Sequence, residues 1–556
     1  MARWSPGAIA RSLTTKPRSR SLQHARRVAR AASQTNAQPQ GVVFSMLAQT
    51  PYSGHVRRHG SETRSRLWGH LLFGARGAFI ATLLAIASPA ASLAAEQQNV
   101  LGTLPSVVRP PALGTAMSAT VMPLAAFGYL EEEYFLQGQA NRYRIQDPMH
   151  DAQLIDSGNP YVTRVLVRRP KDPVRFNGTV VVEWLNVSLD QDIDFVFGAT
   201  RELLVRDGYA WIGVSAQRNG VAALKQWNPE RYKALTVTAS NVDPVDGREI
   251  DPADPLVMAI GGDVLAWDIF SEVAQLVIAQ PDSLLGGLRA KRVIGAAESQ
   301  STLKVSTYYN TIQPLHRVYD GFLFYDRSST LRADVGTKSI TVGTEIFTAL
   351  LGYPPQNDTD HQRWWELNGA SHFSLDEMQS YIDPLIARDA AFRTPQGKAQ
   401  SITDLTLAKG PCQTTSLYSR VPNGDVLKAA LKSLNSWIAG GPAPATAPRF
   451  VVDDQNPPQY VRDAKGEILG GIRTAARDAA MSINVGIGQG PGFCGPSGSH
   501  ADFTPAELCQ TYGSHDAFVR RVRAVVNANI RDGVLLPEEA ARTVSEALAL
   551  AFSCPK

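Results

Sequence analysis

Ser299, Glu345 and His372 stand in the chain order nucleophile, acid, base, and each borders a stretch of strand-forming sequence. A serine hydroxyl is a weak nucleophile until a base takes its proton. The base, in turn, needs an acid to orient it. Ser299 lies between the short apolar run Val293-Ile294-Gly295-Ala296-Ala297 and a helix-compatible run from Gln300 to Tyr309. At a sharp strand-to-helix turn the serine hydroxyl projects above the end of a sheet, in the arrangement of a nucleophile elbow. The turn is tight, so the residues two before and two after the serine must be small. Glycines are common there; this chain has Ala297 and Ser301. A serine between strand and helix also serves as a plain N-cap, so Ser299 needs partners to count as a nucleophile.

The partners come from the ends of later strands. The run RWWEL, Arg363 to Leu367, reads as a strand and is followed by the small-residue loop Asn368-Gly369-Ala370-Ser371-His372. The chain has ten histidines, so a loop histidine alone says little; one that follows the last core strand, downstream of the elbow, has the required order. The run SITV, Ser339 to Val342, leads into Gly343-Thr344-Glu345, which places Glu345 after the penultimate core strand. Asp358 and Asp360 compete for the acid's role but sit in a polar turn nearer the next strand. An oxyanion hole needs two donors. The backbone N–H of Gln300 is one. The loop Leu185-Asn186-Val187-Ser188, after the strand TVVVEW, is placed to supply the other through its backbone, with Asn186 as the candidate.

These residues need a sheet whose strands end on one side. Residues 141–145, 161–167, 179–184 and 209–214 read as strands, and Gly321 to Tyr325 (GFLFY) as another. Helical runs are expected at 192–206 and from a capping Asp263 to Ala279, where Pro281 ends the helix. Such alternation implies a mostly parallel central sheet flanked by helices. Residues 216–262, rich in Asn, Asp and Pro, read as an insertion over the site. Beyond Gln400 the pattern changes. A helix is expected over Val426–Ile438, a linker at 440–444, a turn at 463–466, a Gly/Pro loop over 486–498, and two closing helices near 515–531 and 537–551. The expected division is an N-terminal extension with signal peptide or anchor over 1–95, a core over 96–410, and a C-terminal extension over 411–556 that packs on it.

The net charge of +4 conceals a strong asymmetry. Residues 1–76 hold thirteen Lys or Arg against one acid, Glu62, so the remainder is net −8 and offers no general attraction to nucleic acid. Arg76 precedes the apolar run Gly77 to Ala87, small residues follow, and Ser92-Leu93-Ala94 is a plausible cleavage site. Export is expected, periplasmic or secreted, with no stable membrane insertion after processing. A membrane anchor, an organelle transit peptide, or a translation start downstream of residues 1–65 are the alternatives. The four cysteines, Cys412, Cys494, Cys509 and Cys554, lack CxxC spacing and read as two disulfides. Closeness in sequence favours Cys494 with Cys509, leaving Cys412 for Cys554.

The chain resembles the bacterial α/β-hydrolase domain-containing proteins whose elbow reads S-Q-S. The matching stretches are VVVEWLNVS at 180–188, ESQSTLKVSTYYN at 298–310, YDGFLFYDRSS at 319–329, WWELNGASHF at 364–373, and AALKSLNSWIAGG with AKGEILGGIRT further on. The resemblance spans about residues 100–550 and implies the α/β-hydrolase fold and a serine-hydrolase site. Such relatives often carry Glu-x-Asp after the penultimate strand, where this chain reads Glu345-Ile346-Phe347. The reading is a hydrolase of small-molecule carboxylic esters with a Ser-His-Glu triad and an acyl-enzyme. An acyltransferase, or a binding protein that keeps the fold without catalysis, are the rivals. No HExxH or clustered ligand set suggests a metal, and no dinucleotide fingerprint suggests a nucleotide cofactor.

Overall fold

The structure, a computed structural model, describes residues 102–253, 261–350, 356–413, 416–455 and 458–555. The expected signal segment and the rest of residues 1–95 lie outside these, as does part of the expected insertion.

One sheet of nine strands organises the chain, in the order β1-β2-β3-β5-β4-β6-β7-β8-β9. They are β1 (Ser106–Val108), β2 (Tyr129–Arg144), β3 (Gln153–Pro170), β4 (Thr179–Trp184), β5 (Ala210–Val214), β6 (Arg292–Glu298), β7 (Gly321–Tyr325), β8 (Lys338–Gly343) and β9 (Gln362–Glu366). From β5 through β4 and β6 to β9 every pairing is parallel. On the other side β5 meets β3 antiparallel, and β2 and β1 follow antiparallel. β2 and β3 form a long hairpin with an irregular register near Arg142. They run far beyond the short strands expected at 141–145 and 161–167. Cross-strand pairing extends them through polar stretches in which apolar alternation fades.

Both faces of the parallel region are covered, which is why its strands are almost uniformly apolar. In β4, Val180 and Val182 point into one apolar cluster and Val181 into another, the period-two alternation of a strand. Trp267 and Phe270 of α3 (Ala266–Ala279) and Tyr308 and Tyr309 of α4 (Gln300–Thr311) fill the first cluster. Leu203 of α1 (Phe195–Arg206) and Leu431 and Leu434 of α6 (Asn423–Ile438) fill the second. The chain over 216–262 starts with α2 (Arg218–Trp227). Asp263 does not cap α3, which begins at Ala266. Its buried carboxylate instead accepts from the Arg218 backbone N–H at 2.8 Å.

Two further elements matter for the site. The first is the short α5 (Glu345–Leu350) after β8. The second is an antiparallel pair, β10 (Ser482–Val485) and β11 (Ser499–Asp502), joined by the Gly/Pro loop. Three helices close the chain: α7 (Pro505–Tyr512), α8 (His515–Arg531) and α9 (Pro537–Ala549). Phe518, Val522 and Val526 of α8 and Ala540 and Ala547 of α9 form a small third cluster. No helix among the described residues is long and apolar enough to cross a membrane.

The four cysteines form two disulfides, but not in the expected pairing. Cys412 bonds Cys494 and Cys509 bonds Cys554, with Cα–Cα distances of 5.4 and 5.3 Å. Closeness in sequence misled because β11 separates Cys494 from Cys509. The Cys494 loop runs beside residues 412–413, where Gln413 N–H donates to the Gln489 carbonyl at 2.8 Å. Cys509 faces the C-terminal tail, which Phe552 packs against Phe518.

Candidate active site

The strand-to-helix turn between β6 and α4 puts Ser299 in the left-handed region, at φ 53° and ψ −120°. Such a conformation in a non-glycine residue costs roughly 1–3 kcal/mol and persists only where its surroundings impose it. Here they do. Ser299 N–H donates to the Tyr325 carbonyl at 2.9 Å, which ties the elbow to the end of β7. The Ser301 hydroxyl donates to the Glu298 carbonyl at 2.8 Å and accepts from the Glu298 N–H at 3.0 Å. A serine two places on therefore stitches the turn as well as being small. Ser299 is half-buried.

His372 lies in the loop after β9, 5% exposed. Its Nδ1 is 2.6 Å from Oδ2 of Asp326. Asp326 directly follows β7, also has a positive φ of 56°, and is fully buried. Its carboxylate is fixed by the Thr344 N–H at 2.6 Å and the Thr344 hydroxyl at 2.8 Å. The histidine loop is braced from the C-terminal part of the chain. Asn423, at the start of α6, donates to the Ser371 carbonyl at 2.8 Å and to the Tyr325 hydroxyl at 2.7 Å. That hydroxyl in turn donates to the His372 carbonyl at 2.9 Å.

The imidazole Nδ1 thus meets Asp326 and not Glu345, the acid expected from sequence. Glu345 is buried, but its two oxygens accept from the backbone N–H groups of Gly369, at 2.7 Å, and Gly486, at 3.2 Å. It clamps the histidine loop to the β10–β11 loop, and burial raises its pKa. Asp358 accepts from Trp364 N–H and pairs with Arg449, and Asp360 is exposed. Asp326 was missed although its signal was present: an aspartate immediately after the strand GFLFY, between the serine and the histidine in chain order.

The oxyanion assignment changes as well. Gln300 is the first residue of α4, where backbone N–H groups lack helical partners. The Asn186 N–H, by contrast, donates to the Ile193 carbonyl at 3.1 Å, so it is not an available donor. The Asn186 side chain holds Glu298 instead, donating to its carbonyl at 3.0 Å and its Oε2 at 2.9 Å. The next amide, Val187 N–H, donates to Oε1 of Gln300 at 3.2 Å.

Glu298 is the remaining group at the centre. Its Oε1 lies 3.1 Å from Nε2 of His372, yet it has no aligned hydrogen-bond partner. Complete burial, with Asp326, Glu377 and Glu183 nearby, pushes this carboxyl well above the usual range and favours its neutral form. Among the described residues, no group of three or more His, Cys, Asp or Glu side chains could hold a metal ion.

Compared with known proteins, residues 100–545 match the family described as alpha/beta hydrolase domain. No curated protein matches the chain. Among solved structures it is similar to esterase Est22, at 14% identity over 40% of this chain and 66% of that one, with a TM-score of 0.23. It is similar also to XC6422 from Xanthomonas campestris, described as an a/b serine hydrolase without lid, at 11% identity over 42% and 85% with a TM-score of 0.24. An alpha-beta serine hydrolase homologue from Coxiella burnetii matches at 10% identity over 38% and 85%, with a TM-score of 0.23. The chain thus spans just under two thirds of the length of Est22.

Proposed function

The chain belongs to the alpha/beta hydrolase domain family, and from that premise we propose that it is a serine hydrolase of carboxylic esters. The observation that carries this is the 2.6 Å contact between Asp326 and His372 Nδ1, made at the end of β7, the strand end to which the Ser299 N–H ties the elbow. In this reading Asp326 holds the proton on Nδ1, leaving the lone pair of Nε2 free to take the Ser299 proton. The serine oxygen attacks the ester carbonyl, and the developing oxyanion is met by the Gln300 N–H. The Val187 N–H joins it when the carbonyl oxygen replaces the Gln300 side-chain oxygen as its acceptor. His372 then gives its proton to the departing alcohol, and a water activated by the same histidine releases the acid from Ser299.

The test is covalent labelling. A fluorophosphonate should modify Ser299 and no other serine, and Ser299→Ala should lower ester hydrolysis at least about a thousandfold while the thermal melt is retained. Activity within tenfold of wild type would sink the assignment. We further propose that the protein is exported. The two disulfides suit an oxidising compartment. Mass spectrometry of the mature N-terminus should find a start near Ala95; a chain beginning before Gly77 in a reducing compartment would contradict it.

A further inference from the structure

Aromatic rings crowd His372 from several separate segments. Phe347, on α5, has its ring centroid 4.4 Å from the imidazole, and Phe373, next in the chain, 4.6 Å. Phe493 meets Phe373 edge-on at 6.2 Å. Phe373 is buried, but Phe347 and Phe493 are partly exposed, so this apolar surface is only half covered by the protein itself.

The proposed chemistry says what would cover the rest. The histidine must deliver a proton to the oxygen of the departing alcohol, so that alcohol lies against His372, and its substituent lies against whatever borders the imidazole. The acyl group, by contrast, is placed by the oxyanion donors on the elbow side. Phe493 is not part of the central sheet. It arrives on the loop between β10 and β11, and the next residue, Cys494, is fully buried in the disulfide with Cys412. The same loop is held to the histidine loop by the Phe373 N–H, which donates to the Pro496 carbonyl at 3.4 Å, and by Glu345 through Gly486.

We propose that Phe347 and Phe493 form the wall of the leaving-group side of the site. The wall selects esters whose alcohol carries a bulky apolar or aromatic group, and the Cys412–Cys494 disulfide holds Phe493 in place. This rests on the serine-hydrolase reading and adds to it the class of alcohol. It also gives the C-terminal part of the chain a role in specificity. An aromatic substituent would stack on or meet edge-on the exposed faces of the two rings, as Phe373 already does with Phe493.

The experiment compares kcat/KM for ethyl acetate, benzyl acetate and ethyl phenylacetate, the last carrying its ring on the acyl side. Wild type should prefer benzyl acetate over ethyl acetate by about tenfold or more, the size of a well-packed apolar group. Phe493→Ala should cut that preference about tenfold. Phe493→Leu, which keeps an apolar group of similar reach, should retain part of it. The double variant Cys412→Ser/Cys494→Ser should weaken the benzyl preference like Phe493→Ala, with the intact Phe493 still in the sequence. The ratio of ethyl phenylacetate to ethyl acetate should not follow these changes. A wild type that turns over ethyl and benzyl acetate equally would overturn the proposal. So would a benzyl preference that stays within twofold of wild type in both Phe493→Ala and Phe347→Ala. Failure of the underlying reading looks different: no ester is turned over and fluorophosphonate leaves Ser299 unmodified, which removes the wall together with the hydrolase.

Discussion

Asp326 and Glu345 are both buried carboxylates beside the histidine loop, and what separates them is the group each oxygen accepts from. Asp326 faces the imidazole; Glu345 faces two backbone amides. Exchange for the amide should therefore act on different quantities. Asp326→Asn offers Nδ1 an NH2 or a poorer acceptor and favours the wrong tautomer, so kcat/KM should fall by about two to four orders of magnitude with little change in melting temperature. Glu345→Gln can accept from only one of the two glycine amides and turns an NH2 toward the other. It should lower the melting temperature, with kcat/KM staying within about tenfold of wild type. Steady-state kinetics and a thermal melt on each variant decide. If Glu345→Gln shows the large kinetic loss and Asp326→Asn does not, the acid is misassigned.

Among the elements, the place of Asp326 in the sheet sets the geometry of the candidate site. β7 lies directly beside β6, so the loop that carries Asp326 and the elbow are neighbours, joined by the Ser299 N–H on the Tyr325 carbonyl. β9 lies two strands further out, and the loop after it must come back over the end of β8 for His372 to meet Asp326. Ser419 and Asn423, which precede and begin α6, hold that returning loop. The closing helices have a different support. The Cys509–Cys554 disulfide closes a separation of 45 residues across α7, α8 and α9. In the chain-entropy account such a loop is worth on the order of 4 kcal/mol. Cys509→Ser/Cys554→Ser should loosen this end of the chain. Hydrogen exchange should speed up in α8 and α9, while the amides of β6 and β7 keep their protection. Unaltered exchange in α8 and α9 would show that the apolar packing of Phe518, Val522 and Val526 suffices alone.

For the whole molecule, the covered faces of the sheet bury several carboxyl groups, and burial raises their pKa. Glu272 of α3 is a clear case. It accepts from the Tyr161 hydroxyl through Oε2, its Oε1 has no partner, and burial lifts its pKa to about 8. An unfolded glutamate gives up its proton near pH 4.3, about 4 pH units lower. Between these values the native state binds more protons than the unfolded state, so stability falls as pH rises through the window. Below it the effect is absent. Glu272→Gln keeps an acceptor for Tyr161 and cannot ionise. Its melting temperature should therefore gain on wild type steadily from about pH 5 to about pH 8. A difference between the two proteins that does not vary with pH would refute this.

The sequence by itself determined what depends on neighbours along the chain. The apolar runs and helical stretches made the mostly parallel sheet legible, because a strand buried on both faces must be apolar along its length. Ser299 was legible as the residue between a strand and a helix, and the position of His372 as a loop following a strand. Tertiary structure decided which groups meet. Whether Glu345 or Asp326 faces the imidazole depends on how far the loop after β9 folds back across β8, and no local pattern records that. Asn186 lost its expected donor because Ile193, seven residues on, folds back to accept its N–H. The disulfide partners are set by where the β10–β11 loop and the C-terminal tail come to rest. Contacts between distant segments are chosen by the packing of the whole core, and sequence separation is a poor guide to them.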